Sequence, residues 1–217
     1  MARLFISDTH IGNPSNNLEK LHRVLSRKDW EEVYLVGDIF DLDAMNEYGT
    51  ISKDDQKLIS WIYLYLQRGG KVIWLAGNHD RGMGPILSRY IPYPKISFQE
   101  EAFIRNTWIV HGDKYDRVYQ LFKRFTKWGG GSVGMGFWYN VYTQLGMWRK
   151  RIARQTKERD CKTVICGHMH LPEDKTVDGI RYINCGDWMG SSTWVEENQG
   201  YFDIFGFKGE QITLWRI

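Results

Sequence analysis

Five short clusters of residues able to ligate a metal are spread along this 217-residue chain: Asp8-Thr9-His10, Gly37-Asp38, Gly77-Asn78-His79-Asp80, His111-Gly112-Asp113 and Gly167-His168-Met169-His170. Carboxylate, amide and imidazole donors in one pocket suit divalent transition metals. Such a set points to a reaction as well as a fold.

Something must bring the five clusters together. Each follows an apolar, β-rich run, at 4–6, 33–36, 72–76, 107–110 and 163–166. Strands that end at one edge of a sheet are where α/β proteins build their sites. Between the early strands the sequence turns helical. Leu18, Leu21 and Leu25 share a face over 17–28, with Asn16 as cap, and Leu58, Ile59, Ile62 and Leu66 share one over 53–68, which stops at Gly69-Gly70. Later runs at 175–177, 180–184, 193–196, 201–205 and 211–216 read as short strands, the first two joined by a tight turn at Asp178-Gly179. The alternation predicts one α/β domain over 1–217.

The stretch 115–160 interrupts this order. Val118, Leu121, Phe122 and Phe125 fit one helix face; Trp138, Val141, Tyr142, Leu145, Trp148 and Ile152 fit another; Gly129-Gly130-Gly131-Ser132 lies between. A helical hairpin inserted close to the site is expected. Between Lys114 and Arg159 the charge is +9, against −6 for the rest of the chain, a separation that suggests an anionic partner.

Composition narrows the field further. Hydrophobic residues make up 42% and charged residues 25%, as in ordinary globular domains. No apolar run approaches the roughly 20 residues that span a bilayer. The start of the chain has no signal-peptide pattern, and three cysteines, Cys161, Cys166 and Cys185, cannot all pair. A reducing, cytoplasmic setting is the simplest expectation.

In order and context, the five clusters resemble the signature of calcineurin-like metallophosphoesterases. That resemblance implies a four-layer α/β/β/α sandwich of two mixed sheets, here with the inserted helical hairpin as a lid. It also implies two divalent cations, Mn²⁺ foremost and Fe or Zn²⁺ next. Asp8, His10, Asp38 and His170 would hold one; Asp38, shared, with Asn78, His111 and His168 would hold the other. His79 becomes the general acid for the leaving oxygen, with Asp80 to orient it. Asp41 and Asp43 read as supporting groups or loop acids, Asp113 as support for His111, and His22 as an ordinary polar residue.

Gly37-Asp38-Ile39-Phe40-Asp41 and Gly77-Asn78-His79-Asp80 lack the Arg-Gly and Glu that follow in protein Ser/Thr phosphatases. Residues 111–116, 166–172 and 182–188 are instead similar to UDP-2,3-diacylglucosamine diphosphatases and their relatives, in the branch with His at position 79. The implied reaction cleaves the pyrophosphate of a UDP-linked acylated sugar and releases UMP. The alternative is a phosphodiesterase or phosphatase acting on nucleotides or nucleic acid. Candidate substrate contacts are Arg81, Lys114, Tyr115, Asp116, Arg117, Lys123, Arg124 and Trp138. The aromatic and basic insert suits an acyl chain, an anionic membrane face or nucleic acid. The expected location is the cytoplasm, with peripheral contact at the inner membrane face.

Overall fold

The computed structural model describes residues 2–27, 29–49, 52–83, 96–116 and 146–215. Twelve described strands form two sheets. The first runs β12 (Gln211–Leu214), β11 (Tyr201–Lys208), β10 (Thr193–Asn198), β1 (Ala2–Ile6), β2 (Glu32–Val36), β3 (Lys71–Leu75), β4 (Ile96–Gln99). The second runs β5 (Glu101–Ile104), β6 (Thr107–Val110), β7 (Thr163–Cys166), β9 (Ile180–Asn184), β8 (Glu173–Val177). β1 to β4 are mutually parallel, as are β6, β7 and β9, while both sheets carry antiparallel strands outside these blocks. Glu100 alone separates β4, in one sheet, from β5, in the other.

The parallel strands are apolar on both faces, and the period of two sorts them into layers. Leu4, Ile6, Val33, Leu35, Val72 and Trp74 face α1 (Leu18–Leu25) and α3 (Lys53–Gln67), meeting Leu18, Leu21, Leu58 and Ile62. Their alternates Phe5, Tyr34, Val36, Ile73 and Leu75 meet Ile109, Ile165 and Ile183 between the sheets. On the far side Trp108, Val110, Val164, Cys166 and Tyr182 pack on Trp148, Ile152 and Ala153 of α4 (Met147–Glu158). Helix, sheet, sheet and helix give the expected four layers. Burying side chains such as Trp148 and Ile152 contributes about 1.5–3 kcal/mol each.

Two helical details differ from the sequence reading. Asn17 is the N-cap residue of α1, while the Asn16 amide bonds the His10 carbonyl and Asp55 Oδ1. Asp55 also completes a capping box with Ser52 at the start of α3, which fixes that helix against the loop after β1.

The described part of the expected hairpin, α4, is a structural layer. Its buried face, Trp148, Ile152, Ala153 and Thr156, covers the second sheet. Residues 117–145, the remainder of that segment, lie outside the described residues.

Candidate metal centre

All five clusters sit immediately beyond the C-terminal ends of β1, β2, β3, β6 and β7. Main-chain bonds continue the sheets into them: Asp8 N to Gly37 O at 3.1 Å, His10 N to Asp38 O at 3.1 Å, and Gly167 N to His111 O at 3.2 Å. His168 N donates to Asp8 Oδ2 at 3.0 Å and so ties the second sheet's loop to the first.

The candidate ligands form two groups. In one, Asp8 Oδ1 lies 3.1 Å from His170 Nε2 and 3.9 Å from His10 Nε2. In the other, Asp38 Oδ2 lies 3.1 Å from His111 Nε2, and Asn78 Oδ1 lies 3.1 Å from His168 Nδ1. Asp8, His10 and His170 could share one ion, as could Asp38, His111 and His168. The rings interleave: His10 and His170 are 5.1 Å apart between centroids, and His111 and His168 are 5.4 Å apart.

Each imidazole of the two groups has an acceptor on its outer nitrogen. His10 Nδ1 faces Asp41 Oδ2 at 3.1 Å, His111 Nδ1 the Val36 carbonyl at 2.9 Å, His168 Nε2 Asp116 Oδ2 at 3.1 Å, and His170 Nδ1 Asp187 Oδ2 at 3.0 Å. Such partners fix the tautomer and the ring plane. The inward atoms are left without hydrogen bonds: Asp8 Oδ1, His10 Nε2 and His111 Nε2 are buried and make none. Donor atoms buried in that state fit a cation.

Charge and backbone both mark the place. Against burial, which favours the neutral ring, Asp38 and then Asp8 raise the His111 pKa to about 10. Asp8 and Asp187 raise His170 to about 10 against the same opposition. Against burial, His111 lowers Asp38 to about 2, and His170, with His10, holds Asp8 well below the ordinary carboxylate range. Asp8, Asp38, His10, His168 and His170 all adopt positive φ, between 46° and 68°. Non-glycine residues rarely do so, and such strain collects at functional sites.

Two glycines make room. A Cβ on Gly77 would stand 2.1 Å from Asp38 Oδ1, and one on Gly167 would stand 1.8 Å from Ser7 Oγ.

The other expected residues are placed unevenly. His79 stands beside His10, ring centroids 5.0 Å apart, with Nδ1 3.3 Å from Asp41 Oδ1. Asp80 does not orient it. The Asp80 carboxylate points into the protein and accepts from Gly77 N and Ile39 N, both at 2.8 Å, and from Trp74 Nε1 at 3.3 Å. Asp41 takes the expected role of Asp80 and caps α2 (Leu42–Tyr48) as well, whereas the Asp43 side chain is 91% exposed. Asp113 binds Arg81 at 2.9 Å, and the acceptor on His111 is the Val36 carbonyl.

Among the expected substrate contacts, Asp116 is fully buried against His168, which removes it from any ligand surface. Tyr115 packs its ring on Trp108 and accepts from Arg159 at its hydroxyl, so it belongs to the scaffold. Arg81 and Lys114 are partly exposed, and Asp113 and Glu100 engage their charges. Arg117, Lys123, Arg124 and Trp138 lie outside the described residues. Sequence reasoning missed Asp187; an acid just beyond the end of β9, beside the strands that carry the ligands, was the available signal.

Residues 1–204 match the calcineurin-like phosphoesterase superfamily domain. The chain belongs to that superfamily. No curated protein matches it. Among solved structures, wild-type Vps29 complexed with Zn²⁺ from Entamoeba histolytica is similar at 14% identity and a TM-score of 0.55, covering 100% of this chain and 98% of that one. A novel archaeal phosphodiesterase gives 17% and 0.52, over 95% and 100% of the two chains. YfcE, a phosphoesterase from E. coli, gives 14% and 0.54, over 98% and 96%. At these identities the likeness concerns the fold. Superfamily membership and the ligand groups together make this phosphoesterase a metal-dependent hydrolase. Among the described residues no helix is long and apolar enough to cross a membrane.

Proposed function

We propose that this phosphoesterase holds two divalent cations and hydrolyses a pyrophosphate or phosphodiester bond. The leading substrate is the pyrophosphate of a UDP-linked acylated sugar, such as UDP-2,3-diacylglucosamine, with release of UMP. The observation that carries the metal reading is the inward set of buried atoms without hydrogen bonds, Asp8 Oδ1, His10 Nε2 and His111 Nε2. Asp38 would serve both cations, with Asp8, His10 and His170 on one side and Asn78, His111 and His168 on the other. Mixed nitrogen and oxygen donors suit Mn²⁺, Fe or Zn²⁺ better than Mg²⁺, and Mn²⁺ is the lead reading. Bound there, such cations lower the pKa of water and neutralise charge on phosphoryl oxygens.

The chain's own groups supply the rest. Asp41 Oδ1 faces His79 Nδ1 and can accept from it; in its imidazolium form the ring would carry a second proton on Nε2, the one given to the leaving oxygen. The His79 side chain is 27% exposed, so a bound ester can reach it.

Support for the pyrophosphate comes from the resemblance of residues 111–116, 166–172 and 182–188 to UDP-2,3-diacylglucosamine diphosphatases. On the solvent face of α4, Lys150, Arg154 and Lys157 are exposed at helical spacing. In this reading they rest on the anionic inner face of the cytoplasmic membrane, where such a lipid would be presented. The second reading, a nucleotide or nucleic acid diester, draws on the same cations. The test is UMP release from UDP-2,3-diacylglucosamine beside hydrolysis of bis(p-nitrophenyl) phosphate, with Mn²⁺. Turnover of the diester without UMP release favours the second reading; turnover of neither refutes both.

A further inference from the structure

His168 and His170 are two residues apart, yet each leans on a carboxylate from a different part of the fold. His168 turns Nε2 to Asp116 and keeps Nδ1 toward Asn78. His170 makes the opposite choice, with Nδ1 to Asp187 and Nε2 toward Asp8. An ionised carboxylate only accepts, so each outer nitrogen carries a proton, and with a cation bound the inner nitrogen would turn its lone pair toward it.

The two carboxylates are anchored separately. Asp116 is fully buried and closes the short helical turn Asp113–Tyr115 that follows His111. That turn is held from α4: Arg151 donates to the Tyr115 carbonyl at 3.1 Å, and Arg159, one residue beyond the helix, to the Tyr115 hydroxyl at 2.9 Å. The Trp148 ring completes the support, 6.3 Å from the His168 ring and 2.7 Å from where a Cβ on Gly112 would stand. Asp187, in contrast, sits between β9 and β10 and accepts from Gly190 N at 2.9 Å and Ser191 N at 2.7 Å. One anchor belongs to the second sheet and its helix, the other to the connection leading back into the first sheet.

We propose that Asp116 and Asp187 are positioning residues that set the cation affinities of the two half-sites independently. Asp116 acts through His168 on the half-site of Asp38, Asn78 and His111. Asp187 acts through His170 on the half-site of Asp8 and His10. This rests on the two-cation reading above. A charged acceptor on the outer nitrogen holds the ring plane and makes the inner nitrogen a better donor. Replacing it with the isosteric amide keeps the shape and removes the charge, and losing an outer partner of this kind weakens metal binding about 10–100-fold. Because the anchors are distinct, the effects fall on different ions.

The test is Co²⁺ binding to the full chain, followed by calorimetry and by the visible absorption of the ion, which reports its coordination and owes nothing to turnover. Wild type is expected to take up two Co²⁺ per chain. Asp116→Asn should weaken one binding event about 10–100-fold and leave the other, and Asp187→Asn should weaken the other one. The tight ion that remains should therefore have a different spectrum in each variant, and the double variant should lose affinity at both sites. A variant that weakens both events alike, or neither, with the wild-type spectrum, overturns the proposal. Should Asp116→Asn fail to fold, Asp187→Asn still decides, since it must affect one event alone. Wild type binding fewer than two Co²⁺ refutes the two-cation reading itself; wild type binding two, with unselective variants, refutes only the separate tuning.

Discussion

Asp41 stands behind His79, its Oδ1 3.3 Å from the imidazole Nδ1, while its Oδ2 lies 3.1 Å from Nδ1 of His10. One carboxylate thus orients both a metal-facing ring and the ring placed to protonate a leaving group. Asp41→Asn should lower kcat about 10–100-fold by the loss of a charged partner to both rings. Asp41→Ala should also cost about 1 kcal/mol of stability, because Asp41 accepts from Ala44 N as the cap of α2. Steady-state kinetics and thermal melting of the two variants check this. Equal activity in Asp41→Asn and wild type would leave Asp41 a cap and nothing more.

His79→Ala should retain its metal and slow turnover about 10²–10⁴-fold, as expected for loss of a general acid. The deficit should shrink for esters whose leaving groups need no proton, such as p-nitrophenol, and grow for alkyl esters. A uniform deficit across leaving groups would contradict the assignment.

Asp38 Oδ2 faces His111 Nε2 at 3.1 Å, and in the two-cation reading the same carboxylate is shared with the half-site of Asp8, His10 and His170. Asp38→Ala should therefore abolish activity and lose both ions, read as metal per chain by elemental analysis. Retention of full metal content would exclude a shared role.

The pH dependence follows from the raised histidines. In the metal-free protein His111 and His170 titrate near 10, above their ordinary value of about 6.5. Their ion pairs with Asp38, Asp8 and Asp187 stabilise the fold fully below about pH 6.5, and that contribution fades as pH rises through about 10. The melting temperature of the metal-free chain should accordingly fall between pH 7 and 10. Cations must displace those protons, so uptake near pH 7.5 should release up to two per chain. Calorimetry in buffers of different ionisation heat measures this release. No release would mean neutral rings in the free protein.

Gly77→Ala should damage the centre without removing any ligand, since its Cβ would stand 2.1 Å from Asp38 Oδ1. Metal content should fall together with melting temperature. A variant with normal metal uptake would show that the loop after β3 yields more readily than its contacts suggest.

Much of this was legible in the sequence, for identifiable reasons. The parallel strands are buried on both faces, so runs such as 33–36 and 163–166 announce themselves as unbroken apolar stretches, and the ligands follow each one. β4 and β5 were missed because their burial alternates or is partial, which leaves Ile96–Gln99 and Glu101–Ile104 looking like ordinary loop sequence. Asp80 and Asp41 were exchanged for a related reason. Adjacency in sequence suggested Asp80 for His79, but the tight turn after β3 sends that carboxylate inward to three N–H groups, and Asp41 arrives from the neighbouring strand. Trp148 and Ile152 carried a correct helical period, yet periodicity alone does not say whether a helix covers a sheet or stands above a site.

The left-handed backbone at Asp8, Asp38, His10, His168 and His170 bears on how this protein can be altered. Asn, Asp, His and Gly tolerate that conformation far better than β-branched residues do. Alanine at any of these positions, Asp38→Ala included, would remove a donor and also press the chain to unwind locally, so its metal loss is read beside that of the asparagine variant. Asparagine is the cleaner probe there, and a search for altered metal preference would do best to confine its alphabet to those few residue types.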